Sequence, residues 1–306
     1  MTADMTAEMT LARLASPTAV HRPHDRASLI VHGSDRTGIV GAIGTVLAQH
    51  GANIVALDQY SDNPHGGAFF QRTVFRADDL KAVLPAIERD LRAQPGLDLD
   101  FRLRDLSVPQ RVAIFASKSD HCLLDLLWRH RRGELPISIA MVVSNHPDTA
   151  DDVRSFGIPF FHVPSSGPDK SAAEAEHLRL LKDNVDFVVL ARYMQILSGA
   201  FIAEVGVPII NIHHSFLPAF VGAGPYARAK ERGVKLIGAT AHYVTEHLDE
   251  GPIIEQDVVR VNHADTVEDL RRRGADVERA VLSRAVEWHS TDRVIRHGNR
   301  TIVFAR

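Results

Sequence analysis

Apolar positions form two successive patterns along the chain, and the first of them covers residues 27–105. Its strand-like segments are short apolar runs at 27–33, 53–61, 68–75 and 97–103. Apolar side chains recur at helical spacing in the segments 37–50 and 78–92. The resulting order is βαββαβ, which predicts a ferredoxin-like domain with one antiparallel sheet and two helices on one face.

The second pattern begins near Pro109 and alternates strands with helices. Apolar runs predict strands at 112–116, 137–144, 158–162, 185–190, 207–213, 236–245 and 252–261. Helical spacing marks the segments 120–132 and 267–289, and Gly298-Asn299 is typical of a hairpin turn. Strands that alternate with helices predict a Rossmann-like α/β domain with a mostly parallel sheet.

A polar linker at 104–110 separates the two patterns. Residues 1–26 contain the repeat-like run M-T-A-D-M-T-A-E-M-T and lack the apolar core of a signal peptide. We therefore expect a flexible leader at 1–26, a first domain at 27–105 and a second domain at 110–306.

The composition is that of a soluble globular protein, with 45% hydrophobic and 24% charged residues. A net charge of −3 argues against a protein whose main work is binding nucleic acid. No stretch approaches the ~20 apolar residues of a membrane span. Cys122 is the one cysteine, so an intrachain disulfide is impossible, and a reducing, cytoplasmic location fits. The 17 histidines are scattered without zinc-ligand spacing, so no metal is expected.

The segment P-I-I-N-I-H-H-S-F-L-P, residues 208–218, carries the first candidate chemistry. Asn211 and His213 are two residues apart at the end of a predicted strand, so their side chains point to the same face. Open α/β sheets bind ligands at the carboxyl ends of their strands. An amide donor and a protonated imidazole together suit an oxygen that becomes negative during acyl transfer. His214 faces the opposite side, where we expect a structural role.

The second segment with candidate chemistry covers residues 238–256, G-A-T-A-H-Y-V-T-E-H-L-D-E-G-P-I-I-E-Q. Its acidic loop contains Asp249. A carboxylate there can keep His213 protonated, because a nearby negative charge favours the imidazolium. It can also orient a water molecule.

Asn211, His213 and Asp249, in these flanking motifs, resemble the folate-dependent formyltransferase family over about residues 110–300. The resemblance implies that Asn211 and His213 bind the formyl group and its oxyanion. It implies that Asp249 sets the charge of His213 and manages proton transfer. It also implies contacts to the folate from two segments, with these residues: Arg192, Tyr193, Met194, Ile196, Leu197, Thr240, Val244 and Glu246.

The turn S-D-R-T-G-I-V, residues 34–40, resembles the signature of the ACT domain, a ferredoxin-like module that often binds amino acids and pairs with another copy. Its backbone N–H groups lie at the start of a helix, which suits a carboxylate. An effector such as glycine or methionine would then contact Asp35, Arg36, Thr37 and Gly38. The alternative is a domain that only assembles subunits. Both readings imply a homo-oligomer.

An ACT domain in front of a formyltransferase domain is the layout of the formyltetrahydrofolate deformylase family. That resemblance implies hydrolysis of 10-formyltetrahydrofolate to formate and tetrahydrofolate, in support of purine biosynthesis and one-carbon balance. The folate is then the substrate, and no cofactor is expected. The family more often has a polar residue at 224 and a histidine at 227, where this chain has Gly224 and Ala227. The Gly274-Ala275-Asp276 stretch also lacks an expected arginine.

The formyl acceptor has to be inferred from other residues. An enzyme for glycinamide ribonucleotide would favour a glycine-rich turn after the first strand of the second domain to bind phosphate. The turn at 116–122 has no glycine and contains Asp120, although Lys118 leaves this alternative open. A methionyl-tRNA enzyme would need a further RNA-binding domain, for which we expect no room before Arg306. Water is therefore the expected acceptor. A catalytically silent folate sensor is a different alternative, against which the intact set of Asn211, His213 and Asp249 argues.

Overall fold

The computed structural model describes residues 25–63, 66–95, 99–165, 170–219 and 224–305. The predicted leader at 1–26 lies outside this range except for its last two residues. Of those, Arg26 already belongs to the first strand. Among the described helices, none combines the length and apolar character needed to cross a bilayer.

The first part of the chain forms a four-stranded antiparallel sheet with two helices. Its elements are β1 (Arg26–Ser34), α1 (Ile39–Gln49), β2 (Asn53–Ser61), β3 (Ala68–Arg76), α2 (Leu80–Arg92) and β4 (Leu99–Asp105). The strand order is β2-β3-β1-β4. The predicted βαββαβ order is confirmed, although the fourth strand ends two residues beyond the predicted boundary. Ile39, Ile43 and Leu47 recur at helical spacing on α1 and are buried against β1, so the helices cover one face of the sheet.

The second part forms a seven-stranded sheet with helices on both faces. Its elements up to the central strands are β5 (Gln110–Ala116), α3 (His121–Arg131), β6 (Ile137–Ser144), α4 (Ala150–Ser155), β7 (Phe160–His162), α5 (Ser171–Leu181), β8 (Phe187–Ala191), α6 (Gly199–Val205) and β9 (Ile209–His213). Those that follow are α7 (Pro225–Arg232), β10 (Leu236–Tyr243), β11 (Ile253–Arg260), α8 (Val267–Ser290), β12 (Val294–His297) and β13 (Arg300–Val303).

The strand order in this sheet is β11-β10-β9-β8-β5-β6-β7. The five strands from β9 to β7 pair in parallel, whereas β10 and β11 are antiparallel. The prediction of a mostly parallel sheet is therefore confirmed, and β12 and β13 form the predicted hairpin. Strands β5 and β8 are buried on both faces, which explains why they read as continuous apolar runs.

Two hydrophobic clusters lie on opposite faces of the seven-stranded sheet. On one face, α3 and α8 pack through residues such as Leu126 and Val281. On the other, α5 and α6 pack through residues such as Leu180 and Phe201. Alternate residues of each strand point to the two faces. We call these the α3–α8 face and the α5–α6 face.

The open face of the four-stranded sheet rests on the end of α8 and on the hairpin. Asp292, directly after α8, is almost fully buried, with 1% of its side chain exposed. Ser28 Oγ and Arg104 Nε donate hydrogen bonds to its carboxylate, and Arg102 Nη2 lies 3.1 Å from it. Ile30, Phe70 and Ile295 form a small apolar cluster beside this contact. One buried carboxylate therefore ties the two sheets together.

Replacing this carboxylate tests the contact. We expect Asp292→Ala to lower the free energy of unfolding by about 1–3 kcal/mol, because the Ser28 and Arg104 donors lose their buried partner. The midpoint of urea unfolding measures this loss. Asp276→Ala is the matched control, because Asp276 lies on the exposed side of α8 and its ion pair with Arg279 contributes at most ~1 kcal/mol. Equal midpoints for the two variants would contradict the role given to Asp292.

Candidate active site

The candidate site lies where β8, β9 and β10 meet at one edge of the sheet. Asn211 and His213 are on β9 and point to the α5–α6 face. On the neighbouring strand, His242 pairs opposite Asn211. The loop between β10 and β11 returns Asp249 to the same place. The structure thus brings together the three residues that the sequence predicts as catalytic, and it adds His242.

The polar atoms of these four side chains form a connected set. His213 Nδ1 lies 3.2 Å from Asp249 Oδ2, and His242 Nε2 lies 3.7 Å from Asp249 Oδ1. Asn211 Nδ2 lies 3.2 Å from His242 Nε2. His242 Nδ1 lies 3.0 Å from the Tyr243 carbonyl oxygen, and a carbonyl only accepts, so this nitrogen carries a hydrogen. Asn211 then donates to His242 Nε2 and keeps its second N–H for a ligand.

His242 was missed by the sequence reasoning, although its motif A-H-Y stood inside the quoted segment. The signal that could have found it is the alternation of strand residues. His242 follows Thr240 by two positions, so both face the side of the sheet on which Asn211 lies.

Asp249 holds a negative charge in this set. Burial alone would raise the pKa of its carboxyl group, but the interactions with His213 and then with His242 outweigh that effect. The pKa of Asp249 therefore lies well below its usual range, and the carboxylate is ionised at neutral pH. Because this carboxylate lies 3.2 Å from His213 Nδ1, it fixes the orientation of the His213 ring.

The loop around Asp249 depends on a close backbone approach. Asp249 itself has a φ of 58°, in the left-handed region. A Cβ at Gly251 would lie 1.8 Å from the Tyr243 carbonyl oxygen, so no side chain fits there. The glycine of the L-D-E-G sequence thus allows the loop to fold back on β10 and carry Asp249 to His213.

The remaining nitrogen of His213, Nε2, is buried and has no partner among the described side chains. Because unpaired buried donors are rare in folded proteins, this atom is a candidate contact for a reacting group. It lies at the carboxyl end of a parallel strand, where ligands of α/β sheets bind.

A cleft opens beside these residues. It is lined by Leu190, Gln195, Ile196, Leu197, Asn211, His242, Val244, Thr245, Glu246, His247, Leu248 and Asp249. The cleft thus combines apolar walls with a few polar groups at one end, as small-molecule sites do. Of the predicted folate contacts, Ile196, Leu197, Val244 and Glu246 lie in this lining.

The structure places the side chains of the other predicted folate contacts elsewhere. Arg192 forms an ion pair with Glu278. Tyr193 is 2% exposed and packs against Phe115. Met194 is 59% exposed and is not part of the cleft lining. The backbone explains these placements, because Arg192 and Met194 both have a φ of 61° and break the alternation that β8 would otherwise continue.

Thr240, the remaining predicted folate contact, is fully buried. Its hydroxyl donates to the Ser215 carbonyl and accepts from the backbone N–H of Leu217 and from Gln256 Nε2. These bonds hold the segment that follows β9. Thr240 therefore supports the site from behind and has no surface for a ligand.

The predicted effector turn lies at the start of α1. Asp35 accepts a hydrogen bond from the Ser61 hydroxyl, and its backbone N–H donates to the Gly67 carbonyl. Gly38 is the N-cap residue, with a φ of 94° and no side-chain cap. Arg36 and Thr37 are exposed. The backbone N–H groups at the helix start therefore have no side-chain acceptor at the N-cap.

Each of the two parts of the chain matches a known protein family. Residues 27–92 match the ACT domain family, and residues 110–286 match the formyl transferase family. A formyltetrahydrofolate deformylase from Mycobacterium tuberculosis is 60% identical over 282 residues, which cover 92% of this chain and 91% of that protein.

Solved structures give the same result. A formyltetrahydrofolate deformylase from Pseudomonas syringae pv. tomato superposes with a TM-score of 0.87 at 46% identity, covering 94% of this chain and 96% of that one. A glycinamide ribonucleotide transformylase from Symbiobacterium toebii matches with a TM-score of 0.61 at 34% identity, covering 69% of this chain and all of the other, 100%. It shares only part of the present fold. On sequence identity, coverage and fold together, this chain belongs to the formyltetrahydrofolate deformylase family.

Proposed function

We propose that the protein hydrolyses 10-formyltetrahydrofolate to formate and tetrahydrofolate. The observation that supports this most strongly is the set of Asn211, His213 and Asp249 at the end of an apolar cleft. The set combines donors for a developing oxyanion with a fixed negative charge. Family membership supplies the substrate class.

The folate would enter the cleft with its ring system between the segments 195–197 and 244–249. The formyl oxygen would then lie near His213 Nε2 and the second amide hydrogen of Asn211. As water attacks, negative charge moves onto that oxygen, and fixed donors stabilise it without having to reorganise. Asp249, 3.2 Å from His213 Nδ1, holds the His213 ring in the orientation that such a donor requires.

The reaction balances with water as the second substrate. The water oxygen forms a bond to the formyl carbon, and the bond from that carbon to N10 of the folate breaks. N10 gains a proton, and the acid product loses one to leave formate. Asp249 and His213 are the ionisable groups placed to pass these protons.

Water is favoured over an amine acceptor by the turn at 116–122. It has no glycine to bring backbone N–H groups close to a phosphate, and Asp120 would repel one. Transfer to an amine such as glycinamide ribonucleotide is the second candidate. The relatives named deformylase, which cover most of this chain, do not favour it.

We also propose that the protein acts in the cytoplasm, in one-carbon metabolism. Formate and tetrahydrofolate feed purine biosynthesis and one-carbon balance, and cytoplasmic enzymes use both. The reaction as written needs no metal or organic cofactor, because the folate is itself the substrate.

We also propose that residues 27–105 act as a regulatory and assembly domain for a catalytic domain at 110–306. The β2 edge of the first sheet leaves large apolar side chains exposed, namely Ile54, Val55, Leu57 and Tyr60. Such an edge favours pairing with a second copy, which supports a homo-oligomer. The turn at Asp35 to Gly38 offers N–H groups that suit the carboxylate of glycine or methionine.

The activity is tested by incubating the purified chain with 10-formyltetrahydrofolate and no added amine. We expect tetrahydrofolate and formate to appear in equal amounts. Absorbance follows the first product, and a coupled formate assay follows the second. Turnover that requires glycinamide ribonucleotide would replace hydrolysis with the transferase alternative, whereas folate binding without turnover would support a sensor.

The role of Asp249 is tested by Asp249→Asn, which keeps the shape and removes the charge. We expect kcat to fall about 100-fold or more, because a fixed charge beside the general acid is lost. The matched control is Glu250→Gln, which removes a carboxylate from the neighbouring, exposed position of the same loop. If Asp249→Asn turns over as fast as the control, Asp249 has no part in the mechanism.

The effector site is tested by calorimetry on the full chain with glycine and with methionine. We expect at least one to bind and to change the rate, and we expect Arg36→Ala to weaken that binding. Arg89→Ala, at an exposed arginine on α2, is the control and should leave binding as it is. Absence of heat with both amino acids, together with unchanged kinetics, would leave the domain with an assembly role alone.

A further inference from the structure

A buried polar cluster lies beside the candidate active site and takes no part in the mechanism above. Its centre is Glu278 of α8, whose side chain is 2% exposed. His121 Nε2 lies 2.8 Å from Glu278 Oε2, and Arg192 Nε lies 3.4 Å from the same oxygen. The Tyr226 hydroxyl donates to Glu278 Oε1 at 2.6 Å. We call these four residues the Glu278 cluster.

The Glu278 cluster joins four parts of the fold that surround the end of β9. They are the start of α3, the segment after β8, α7 and α8. Burial raises the pKa of Glu278, but the hydrogen bond with His121 and the charge of Arg192 outweigh it, so the pKa lies below its usual value. The carboxylate is ionised, and its hydrogen-bonding oxygens are already engaged.

The cluster does not favour a metal ion, although His121, Cys122 and Glu278 offer ligand atoms within 4.8 Å of one another. Burial, followed by the charge of Glu278, raises the pKa of the Cys122 thiol well above its usual value, so the thiol stays protonated. The thiolate is the form that binds metals. The Arg192 guanidinium beside the carboxylate would also repel a cation.

Two aromatic contacts connect the cluster to the catalytic residues. The ring of His214 lies 5.2 Å from that of His213 and 6.0 Å from that of Tyr226. Burial and the nearby Arg192 lower the pKa of His214 to about 4, so its ring is neutral. Successive contacts therefore lead from His213 through His214 and Tyr226 to Glu278, across the end of β9.

This series runs from one face of the sheet to the other. Leu197 and Val244 of the cleft belong to the cluster of apolar residues on the α5–α6 face. His121 and Glu278 lie on α3 and α8, which pack on the opposite face. If folate fills this cleft on the α5–α6 side, the opposite, α3–α8 side is the approach that we assign to the acceptor. There it meets His214 and Tyr226.

Tyr226 lies between Glu278 and a cavity on that side of the sheet. Its hydroxyl contacts Glu278, while its ring lines a cavity together with Phe216, Ile237 and Val258. A Cβ at Gly274 would lie 1.9 Å from the Tyr226 hydroxyl, so the glycine makes room for this placement. Close packing against Tyr226 therefore explains why residue 274 is a glycine.

We propose that the ring of Tyr226 determines the acceptor specificity by closing the α3–α8 side to amines while water still reaches the formyl carbon. This inference rests on the proposed hydrolysis. The shared fold supports it, because a protein named glycinamide ribonucleotide transformylase matches 69% of this chain. The backbone of the shared part is therefore compatible with an amine acceptor, and side chains within it can decide between acceptors.

The test offers glycinamide as an amine probe and measures two products from 10-formyltetrahydrofolate. In the amine reaction, the probe nitrogen bonds to the formyl carbon and loses a proton, the bond from that carbon to N10 breaks, and N10 gains a proton. Mass spectrometry measures N-formylglycinamide, and a coupled assay measures formate. For the unmodified chain we expect formate with no detectable N-formylglycinamide.

Tyr226→Ala removes the ring and its contact with Glu278. We expect the ratio of N-formylglycinamide to formate to rise at least about tenfold, the scale on which one steric contact discriminates between substrates. Tyr226→Phe is the matched control, because it keeps the ring and loses only the hydroxyl, and its ratio should equal that of the unmodified chain. A purely structural Tyr226 would lower stability and both products without changing the ratio.

The outcomes separate this inference from the proposed function. Formate release by the unmodified chain without glycinamide tests hydrolysis alone, whereas the ratio in the variants tests the role of Tyr226. An unchanged ratio in Tyr226→Ala overturns the inference, as does N-formylglycinamide made by the unmodified chain. If Tyr226→Ala does not fold, Tyr226→Leu, which fills more of the space, decides by the same ratio.

Discussion

A carboxylate buried between two imidazoles organises the end of the seven-stranded sheet. Asp249 lies close to both His213 and His242, and the loop that carries it has to turn sharply beside β10. A lone buried carboxylate would be strongly destabilising, so the ionised Asp249 depends on its close contact with His213 Nδ1. The cleft and the strand end take their shape from this set, because Asp249, Asn211 and His242 all belong to its lining.

The sheet also divides the chemistry between its two faces. The α5–α6 face supplies apolar walls suited to a flat ring system, whereas the α3–α8 face supplies the buried Glu278 cluster. The catalytic side chains lie at the strand ends between them. Variation on one face can therefore change the acceptor while the other face keeps the same donor, which is consistent with one fold serving enzymes of different names.

Much of this arrangement could be predicted from the sequence, because the signals were periodic or local. The strands of both sheets have continuous or alternating apolar runs, and Asn211, His213 and Asp249 lie in distinctive motifs. Local patterns could not place side chains where the backbone leaves its regular conformation. Left-handed residues at Arg192 and Met194 break the strand alternation that the sequence pattern assumes, and their roles as folate contacts stay predictions. The hydroxyl of Thr240 faces inward, toward partners that are far away in sequence.

The burial of Cys122 has a practical consequence for spectroscopy. It is the single cysteine of the chain, it is 1% exposed, and its thiol is held in the protonated, unreactive form. Thiol reagents should therefore not label Cys122 in the native protein, so this residue need not be replaced before labelling. A cysteine introduced on the surface of either sheet would be the sole reactive handle. A pair of them, one on each sheet, would let fluorescent labels report the distance between the two halves of the molecule in solution.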